Sequence, residues 1–382
     1  MDLTKRRDDF PITKDVTYLA TCNIAQFPRP VIEAIKNHVD SMQTFGILSS
    51  FEEGKQLAAT LFGAKKEEIA YIRCTNEGIN IVANMLDWKK GDNVVLSDLG
   101  FPSNIFPWQR QQSRGVEIRC VRSSGEGVWL SDIEPAVDDH TKVIALDCPS
   151  SANGFKCDLD ALGDLARKHG AYLVVDGIQG LGAIPINLNR SKVDFFIAAG
   201  HKWLLGPTGI GLLYVREEHL EKFEPVYVGY ANEEKTDFTY HEYKLTSTAK
   251  RFEFGGSPNM IGVIGLTAAL KYIHSIGVQN IEQWATQLTD RAIKELESIE
   301  DIELPPWTYD RKYRSHWIGF KLRKTSMTQV VEALTKKKII VAPKVSSLGE
   351  TIRVAPHIMN IEEEIMKFAE TLNQLLNKPE KK

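Results

Sequence analysis

Short apolar strand patterns alternate with amphipathic helix patterns between about residues 68 and 215. Helical patterns such as Glu77–Leu86 and Leu159–Lys168 carry apolar residues at i, i+3 and i+4. Alternation of this kind requires right-handed crossovers, so it predicts an α/β fold with a largely parallel sheet covered on both faces. The predicted strands are Glu68–Arg73, Asn93–Ser97, Val116–Val121, Val143–Asp147, Tyr172–Val175, Phe195–Ala199 and Gly211–Val215.

A glycine-rich turn separates the last two of these strands and is too short to contain a helix. We therefore expect one strand of that pair to be antiparallel to its neighbours. The alternation of strand and helix patterns ends at Gly255-Gly256, and a long helical pattern follows. Ser257 suits its N-cap and Pro258 its first helical position. The sequence predicts a large domain over residues 30–255 and a smaller α/β domain formed by residues 1–29 and 256–382.

The composition excludes several classes of protein. The formal net charge is −3 and lysine and arginine are dispersed, which argues against a nucleic-acid partner. No apolar run approaches the length of a membrane span, and the N-terminus is charged where a secretory signal needs apolar residues. Five cysteines in no C-x-x-C spacing and nine dispersed histidines predict a reducing cytoplasm and no metal site.

Two residues with complementary chemistry follow neighbouring predicted strands. Asp176 comes directly after an apolar strand, and Lys202 follows the next one, just after Gly200. Parallel strands end at a common edge of the sheet, where open α/β sheets bind their ligands. We therefore expect a carboxylate and an amine on opposite sides of one cleft.

This pair meets the needs of pyridoxal 5′-phosphate (PLP). A desolvated lysine forms a Schiff base with an aldehyde, and a buried acid keeps a pyridine nitrogen protonated. The segment Thr75-Asn76-Glu77-Gly78 follows a strand and opens a helix, so with Thr75 as N-cap it would present backbone N–H groups to a phosphate. His201 is a further candidate for phosphate binding. A NAD-binding or purely structural α/β protein is the alternative from another class, but Gly206–Gly211 lacks the strand–turn–helix setting of a dinucleotide fingerprint.

The sequence around these residues resembles the aminotransferase class V family of fold-type I PLP enzymes, which includes cysteine desulfurases and isopenicillin N epimerase-like proteins. The resemblance covers nearly the whole chain. It rests on Tyr172–Val215 and on three further segments: Thr75-Asn76-Glu77-Gly78-Ile79-Asn80, Phe101-Pro102-Ser103-Asn104-Ile105-Phe106-Pro107-Trp108 and Arg251-Phe252-Glu253-Phe254-Gly255-Gly256-Ser257-Pro258-Asn259.

The resemblance implies a role for each matching residue. Lys202 would carry the Schiff base and Asp176 would pair with the pyridine nitrogen. Arg353 would bind the substrate α-carboxylate, for which its planar fork is suited. The remaining cofactor contacts would be Gln179 at the ring hydroxyl with Ser151 nearby, Phe101 stacked on the ring, Thr75, Asn76 and His201 at the phosphate, and Ser257 at the phosphate of a partner subunit in a homodimer with shared sites.

Departures from the family pattern shape the expected reaction. Desulfurases carry a nucleophilic cysteine in the C-terminal domain, whereas here no cysteine follows Cys157. Persulfide chemistry needs a thiolate at the substrate sulfur. We therefore expect a class V aminotransferase rather than a cysteine desulfurase. A lyase that eliminates at Cβ and an amino-acid racemase are the alternatives, and the sequence does not identify the substrate side chain.

Overall fold

The computed structural model describes residues 2–41, 47–235 and 242–377. In chain order the strands are β1 Thr17–Tyr18, β2 Ile69–Ile72, β3 Asn93–Ser97, β4 Glu117–Val121, β5 Thr141–Asp147, β6 Tyr172–Asp176, β7 Phe195–Ala199, β8 Gly211–Val215, β9 Ile302–Glu303, β10 Ile318–Leu322, β11 Ile339–Ile340, β12 Ala342–Ser346 and β13 Gly349–Val354. The α-helices are α1 Arg29–Ser41, α2 Ile47–Phe62, α3 Thr75–Met85, α4 Phe106–Gln109, α5 Leu130–Ile133, α6 Leu159–Lys168, α7 Leu188–Ser191, α8 Met260–Ile276, α9 Val278–Leu296, α10 Met327–Lys336 and α11 Glu362–Leu376.

The central element is a seven-stranded sheet with the order β2-β8-β7-β6-β5-β3-β4. Its strands are parallel except β8, which runs antiparallel to both β2 and β7. The predicted α/β fold, the seven strands and the antiparallel member near the glycine-rich turn are all confirmed. The turn explains the reversal, because a connection without a helix cannot cross back over the sheet.

Side chains of the central strands alternate between two apolar cores, one on each face of the sheet. In β7, Phe196 and Ala198 join one core whereas Phe195 and Ile197 join the other. Every residue of β7 and of β8 is buried. The continuous apolar runs in the sequence follow from this burial on both faces, which is the pattern expected of a covered sheet.

The carboxyl ends of β5, β6 and β7 lie side by side. Asp147 is opposite Asp176, and Asp176 is opposite Ile197 in the register of the neighbouring strand. Lys202 comes three residues after β7 ends at Ala199. The sheet therefore brings two acids and the lysine to one edge.

The C-terminal part contains a four-stranded antiparallel sheet with the order β12-β13-β10-β9. β1 pairs with β11, which ties the N-terminal segment to this part of the chain. Within this sheet β12 and β13 form a hairpin. The boundaries of the two domains, residues 30–255 against 1–29 with 256–382, stay a prediction.

The predicted start of the long helix α8 is wrong by two residues. Asn259, not Ser257, is the N-cap, because its side chain accepts a hydrogen bond from the backbone N–H of Gly262 at 2.9 Å. Pro258 therefore lies before the helix. Among the described residues no single helix is long and apolar enough to cross a membrane, and α8 with α9, which pass that test together, are bent by 78°.

Candidate active site

Lys202 lies in the turn between β7 and β8, at the edge where the acids lie. Burial lowers the pKa of its amine, and the neighbouring Asp176 carboxylate opposes that change. The amine nitrogen is 5.7 Å from the centre of the Phe101 ring. A lysine with reduced basicity beside an aromatic face is suited to attack an aldehyde.

Asp176 ends β6 and is 2% exposed. One carboxylate oxygen accepts a hydrogen bond from the backbone N–H of Ile178 at 3.1 Å. Burial, reinforced by the charge of Asp147, raises the pKa of Asp176 to about 8. The acid forms no salt bridge with Lys or Arg within the described ranges.

Asp147 ends β5 and fixes the segment that carries Phe101. Its carboxylate accepts hydrogen bonds from the backbone N–H of Phe101 at 2.8 Å and from the Asn104 side-chain amide at 3.1 Å. Burial raises its pKa to about 6. Sequence reasoning missed this residue, although its position at a strand end is the same signal that identified Asp176.

Arg353 lies in β13 and is 4% exposed. Its guanidinium donates to the backbone carbonyl of Ala342 at 3.3 Å and of Ser151 at 3.0 Å. Its charge acts on both Lys202 and Cys22, so the guanidinium lies close to the predicted cofactor lysine. The structure thus places Arg353 beside Ser151 and near Lys202, and its predicted role at the substrate stays a prediction.

Gln179 is buried and both ends of its amide are occupied by protein. The nitrogen donates to the backbone carbonyl of Cys22 at 2.9 Å, and the oxygen accepts from the Trp203 indole N–H at 2.9 Å. These bonds fix Gln179 behind Lys202 and bring the N-terminal segment into the site. Its predicted contact with a ring hydroxyl stays a prediction.

The predicted capping by Thr75 is wrong. Cys74 is the N-cap of α3 and Thr75 is the first helical residue. The Thr75 hydroxyl instead accepts a hydrogen bond from the backbone N–H of Ala199 in β7 at 3.2 Å. This bond still places the start of α3 beside the Lys202 turn. Asn76 is exposed at that helix start, and burial lowers the pKa of His201 to about 4, so that this imidazole is neutral at pH 7.

Ser257 lies in a different place. It is exposed, its hydroxyl is 3.3 Å from that of Tyr230, and it lines a cavity of about 680 Å³ whose other walls include Tyr71, Gly209 and Phe254. The structure does not bring it to the Lys202 group of its own chain. Its predicted contact with a partner's phosphate stays a prediction.

The donor set at the sheet edge fits PLP. A carboxyl group as deeply buried as Asp176 becomes an anion at neutral pH only with a cationic partner, and a protonated pyridine nitrogen is such a partner. The aldehyde requires a nearby amine, which Lys202 supplies, and the first turn of α3, where Asn76 is exposed, offers backbone N–H groups to a phosphate. The residues at this edge therefore fit this cofactor.

Comparison with known proteins places this arrangement in a family. The family model "Aminotransferase class-V" matches residues 18–368. The chain belongs to the aminotransferase class V family. The predicted PLP cofactor and fold-type I architecture are thereby confirmed.

Three similar proteins that are at least 30% identical to this chain are named for one activity. A "probable cysteine desulfurase" of Pyrococcus abyssi is 31% identical over 97% of this chain and 96% of its own length. A "cysteine desulfurase" of Escherichia coli is 33% identical over 84% of this chain and 82% of its own. A solved cysteine desulfurase of Thermococcus onnurineus NA1 is 30% identical, with a TM-score of 0.89 and 97% of each chain covered.

These relatives overturn the expected reaction. The prediction of a class V aminotransferase, with a lyase or racemase as alternative and a cysteine desulfurase excluded, is wrong, because the similar proteins are cysteine desulfurases. The exclusion depended on one feature, the lack of a cysteine after Cys157. The lack of a cysteine at one place is weaker evidence about the reaction than similarity over 97% of the chain.

Cys22 is a residue of the site that sequence reasoning did not identify. Cys22 is buried, and its thiol feels the charges of Arg353, Lys202 and Lys344. Lys344 lies in β12, with its amine 4.5 Å from the centre of the Phe101 ring. The alternation of side chains along β12 puts residues 342, 344 and 346 on one face.

Proposed function

We propose that this chain is a PLP-dependent cysteine desulfurase, which removes the sulfur of cysteine and leaves alanine. One observation carries the proposal: the amine of Lys202 and the buried acid Asp176 lie at one sheet edge, in a chain 31% identical over 97% of its length to a probable cysteine desulfurase. Bound PLP supplies an electron-accepting ring that weakens the bonds next to the substrate nitrogen.

The residues of the chain divide the remaining work. Asp176 holds the ring nitrogen protonated, Lys202 anchors the cofactor and then moves the proton at the substrate Cα, and Arg353 holds the α-carboxylate. Phe101 covers the ring face from the segment that Asp147 fixes. The reduced basicity of Lys202 supports its part, because a proton-transfer group acts best near the working pH.

The sulfur acceptor in this proposal is a thiol from solution. Cys22, the cysteine on which the charges of both Lys202 and Arg353 act, is fully buried, and that burial raises its pKa, so its thiol is a poor nucleophile. With an external thiol the atoms balance: cysteine and thiol give alanine and the persulfide of that thiol. Dithiothreitol then closes its own disulfide and releases the sulfur as sulfide.

The test is a product balance on PLP-loaded protein incubated with L-cysteine and dithiothreitol. We expect sulfide and alanine in equal amounts, and a rate that falls steeply when dithiothreitol is left out. Lys202→Ala should abolish both products, whereas Lys337→Ala, a change at an exposed lysine, should not.

A different product pattern would refute the proposal. Sulfide accompanied by pyruvate and ammonia instead of alanine would show a different reaction at the same site. Full activity of Lys202→Ala would remove the lysine from the mechanism.

We also propose that the enzyme is a cytoplasmic homodimer with shared sites. Exposed apolar side chains, namely Phe254, Met260 and Ile261, lie next to Ser257 and support an interface there. All five cysteines are free thiols, in keeping with a reducing compartment. Light scattering should give twice the chain mass of 43.0 kDa, and Ile261→Glu should lower it, whereas a monomeric wild-type protein would contradict the proposal.

A further inference from the structure

The hairpin β12–β13 places a second cation beside Arg353. Ala342 is opposite Arg353 and Lys344 is opposite Thr351, so Lys344 and Arg353 are diagonal neighbours on one face of the hairpin. Diagonal neighbours in an antiparallel pair are about 7–8 Å apart. Lys344 is half-buried whereas the next residue, Val345, is 68% exposed, which confirms that Lys344 faces inward.

Lys344 faces the same cleft as the predicted cofactor lysine. The amine of Lys344 is 4.5 Å from the centre of the Phe101 ring, and the amine of Lys202 is 5.7 Å from it. The tip of the hairpin is fixed to the loop after β3, because the Ser347 hydroxyl donates to the backbone carbonyl of Asp98 at 3.0 Å. The position of Lys344 in the cleft is therefore fixed by the pairing of β12 with β13 and by the hydrogen bond between Ser347 and Asp98.

No carboxylate of the described residues lies within salt-bridge distance of the Lys344 amine. Over the described ranges its amine forms no salt bridge and no hydrogen bond, and its closest partner is the Phe101 ring. Burial lowers its pKa and the positive charge of Arg353 lowers it further, whereas the charge of Asp147, which forms no ion pair with it, opposes both effects. Two cations on one hairpin face repel each other, so this arrangement is unfavourable until negative groups lie between them.

An α-amino acid bound as proposed would bring one negative group to each cation. Its α-carboxylate would occupy Arg353, its α-nitrogen would lie toward Lys202, and its side chain would then extend along the hairpin face. An ionised sulfur at the end of that side chain is the second negative group that the pair lacks.

We infer that Lys344 binds the sulfur end of the substrate side chain as an anion, so that the site selects amino acids whose short side chain carries a negative charge. This inference rests on the binding mode of the proposed function, with the α-carboxylate at Arg353. Lys344 lies in a region of the chain without cysteine, since none follows Cys157. It acts on the sulfur by charge alone and forms no bond to it.

The test compares two amino acids of equal shape that differ in charge. L-aspartate places a carboxylate near the position of the cysteine sulfur, and L-asparagine places a neutral amide there. Calorimetric titration of the PLP-loaded enzyme should give a dissociation constant about tenfold lower for aspartate than for asparagine, as expected for a charge-assisted contact. Lys344→Met should bring the two constants within about twofold, because the methionine keeps the bulk of the side chain and removes its charge.

Two further variants serve as controls. Lys344→Arg should keep most of the preference for aspartate, and Lys337→Met, at an exposed position, should leave it unchanged. An equal affinity of the wild-type enzyme for both amino acids would overturn the inference, as would a preference that survives Lys344→Met. A loss of affinity for both amino acids alike in Lys344→Met would also overturn it, since Lys344 would then act on the α-carboxylate.

The two proposals fail in different ways. If cysteine gives no alanine but aspartate still binds more tightly through Lys344, the proposed reaction falls and the charge selectivity stands. If alanine and sulfide form but the preference for aspartate is absent, the reaction stands and the role of Lys344 falls.

Discussion

Asp176→Asn should change the pH dependence of stability of the cofactor-free protein. In an unfolded chain an aspartate has a pKa of about 3.9, whereas burial raises that of Asp176 to about 8 in the folded protein. Between these values the folded state keeps a proton that the unfolded state has lost. The free energy of unfolding therefore falls as pH rises from about 4 to about 8, and is level above that.

The size of the effect follows from the same shift. A one-unit difference in pKa corresponds to about 1.4 kcal/mol. Over the three units from pH 5 to pH 8 the wild-type protein should lose up to about 4 kcal/mol at Asp176, and Asp147 takes part of that loss because the two carboxyl groups repel each other. The asparagine variant has no proton to lose there, so its stability relative to wild type should grow with pH.

Urea denaturation of both cofactor-free proteins at pH 5, 7 and 9 measures this difference. Asp160→Asn, at an exposed position on the surface, is the matched control and should follow the wild-type curve. Added PLP should make the wild-type protein more stable than Asp176→Asn, because the cofactor lets Asp176 ionise against a cation. The variant should bind PLP at least about tenfold more weakly. A difference in stability that is the same at all three pH values would refute the reasoning.

Three further outcomes are expected. Arg353→Gln should raise the KM for cysteine about a hundredfold with a smaller change in kcat, since a charge-assisted contact to the α-carboxylate is lost; steady-state kinetics, with circular dichroism to check the fold, would contradict this if KM were unchanged. Cys22→Ser should keep sulfide release within about twofold when dithiothreitol is present, and a complete loss would make Cys22 the sulfur acceptor. Phe101→Leu should weaken PLP binding several-fold in an absorbance titration, because an aromatic face is removed from beside Lys202, and an unchanged affinity would exclude stacking.

The architecture was predictable because every strand of the large sheet except the edge strand β4 is largely buried on both faces. Asn93–Ser97, Phe195–Ala199 and Gly211–Val215 have the same bounds in the sequence pattern and in the structure. The pattern was weaker in β12, where exposed and half-buried residues alternate with a proline and no continuous apolar run exists. The sequence pattern therefore did not show that Lys344 lies in a strand.

Helix starts were predicted less accurately than helices. Ser and Thr cap helices often enough that Ser257 and Thr75 were the natural choices. The structure uses Asn259 for the first, and it directs the Thr75 hydroxyl to Ala199 across 124 positions of sequence. Contacts between distant segments decide such details, and one sequence does not display them.

The sequence identified only part of the site. Asp176 and Lys202 stand out because each follows an apolar strand, yet Asp147 follows one too and was not weighed. The reaction was misjudged because one absent residue type, a late cysteine, was given more weight than the extended resemblance. Chemistry performed with groups from solution leaves no trace in a chain, so a missing side chain is weak evidence about a reaction.

The central claim is that Lys202 is the lysine bonded to the cofactor. Borohydride treatment of the PLP-loaded enzyme makes that bond permanent, and mass spectrometry of a proteolytic digest then locates the modified lysine. The account predicts a pyridoxyl group on the peptide that contains Lys202. It predicts none on Lys344, whose amine also lies near the Phe101 ring. A pyridoxyl group on Lys344 or on any other lysine, with Lys202 unmodified, would contradict it.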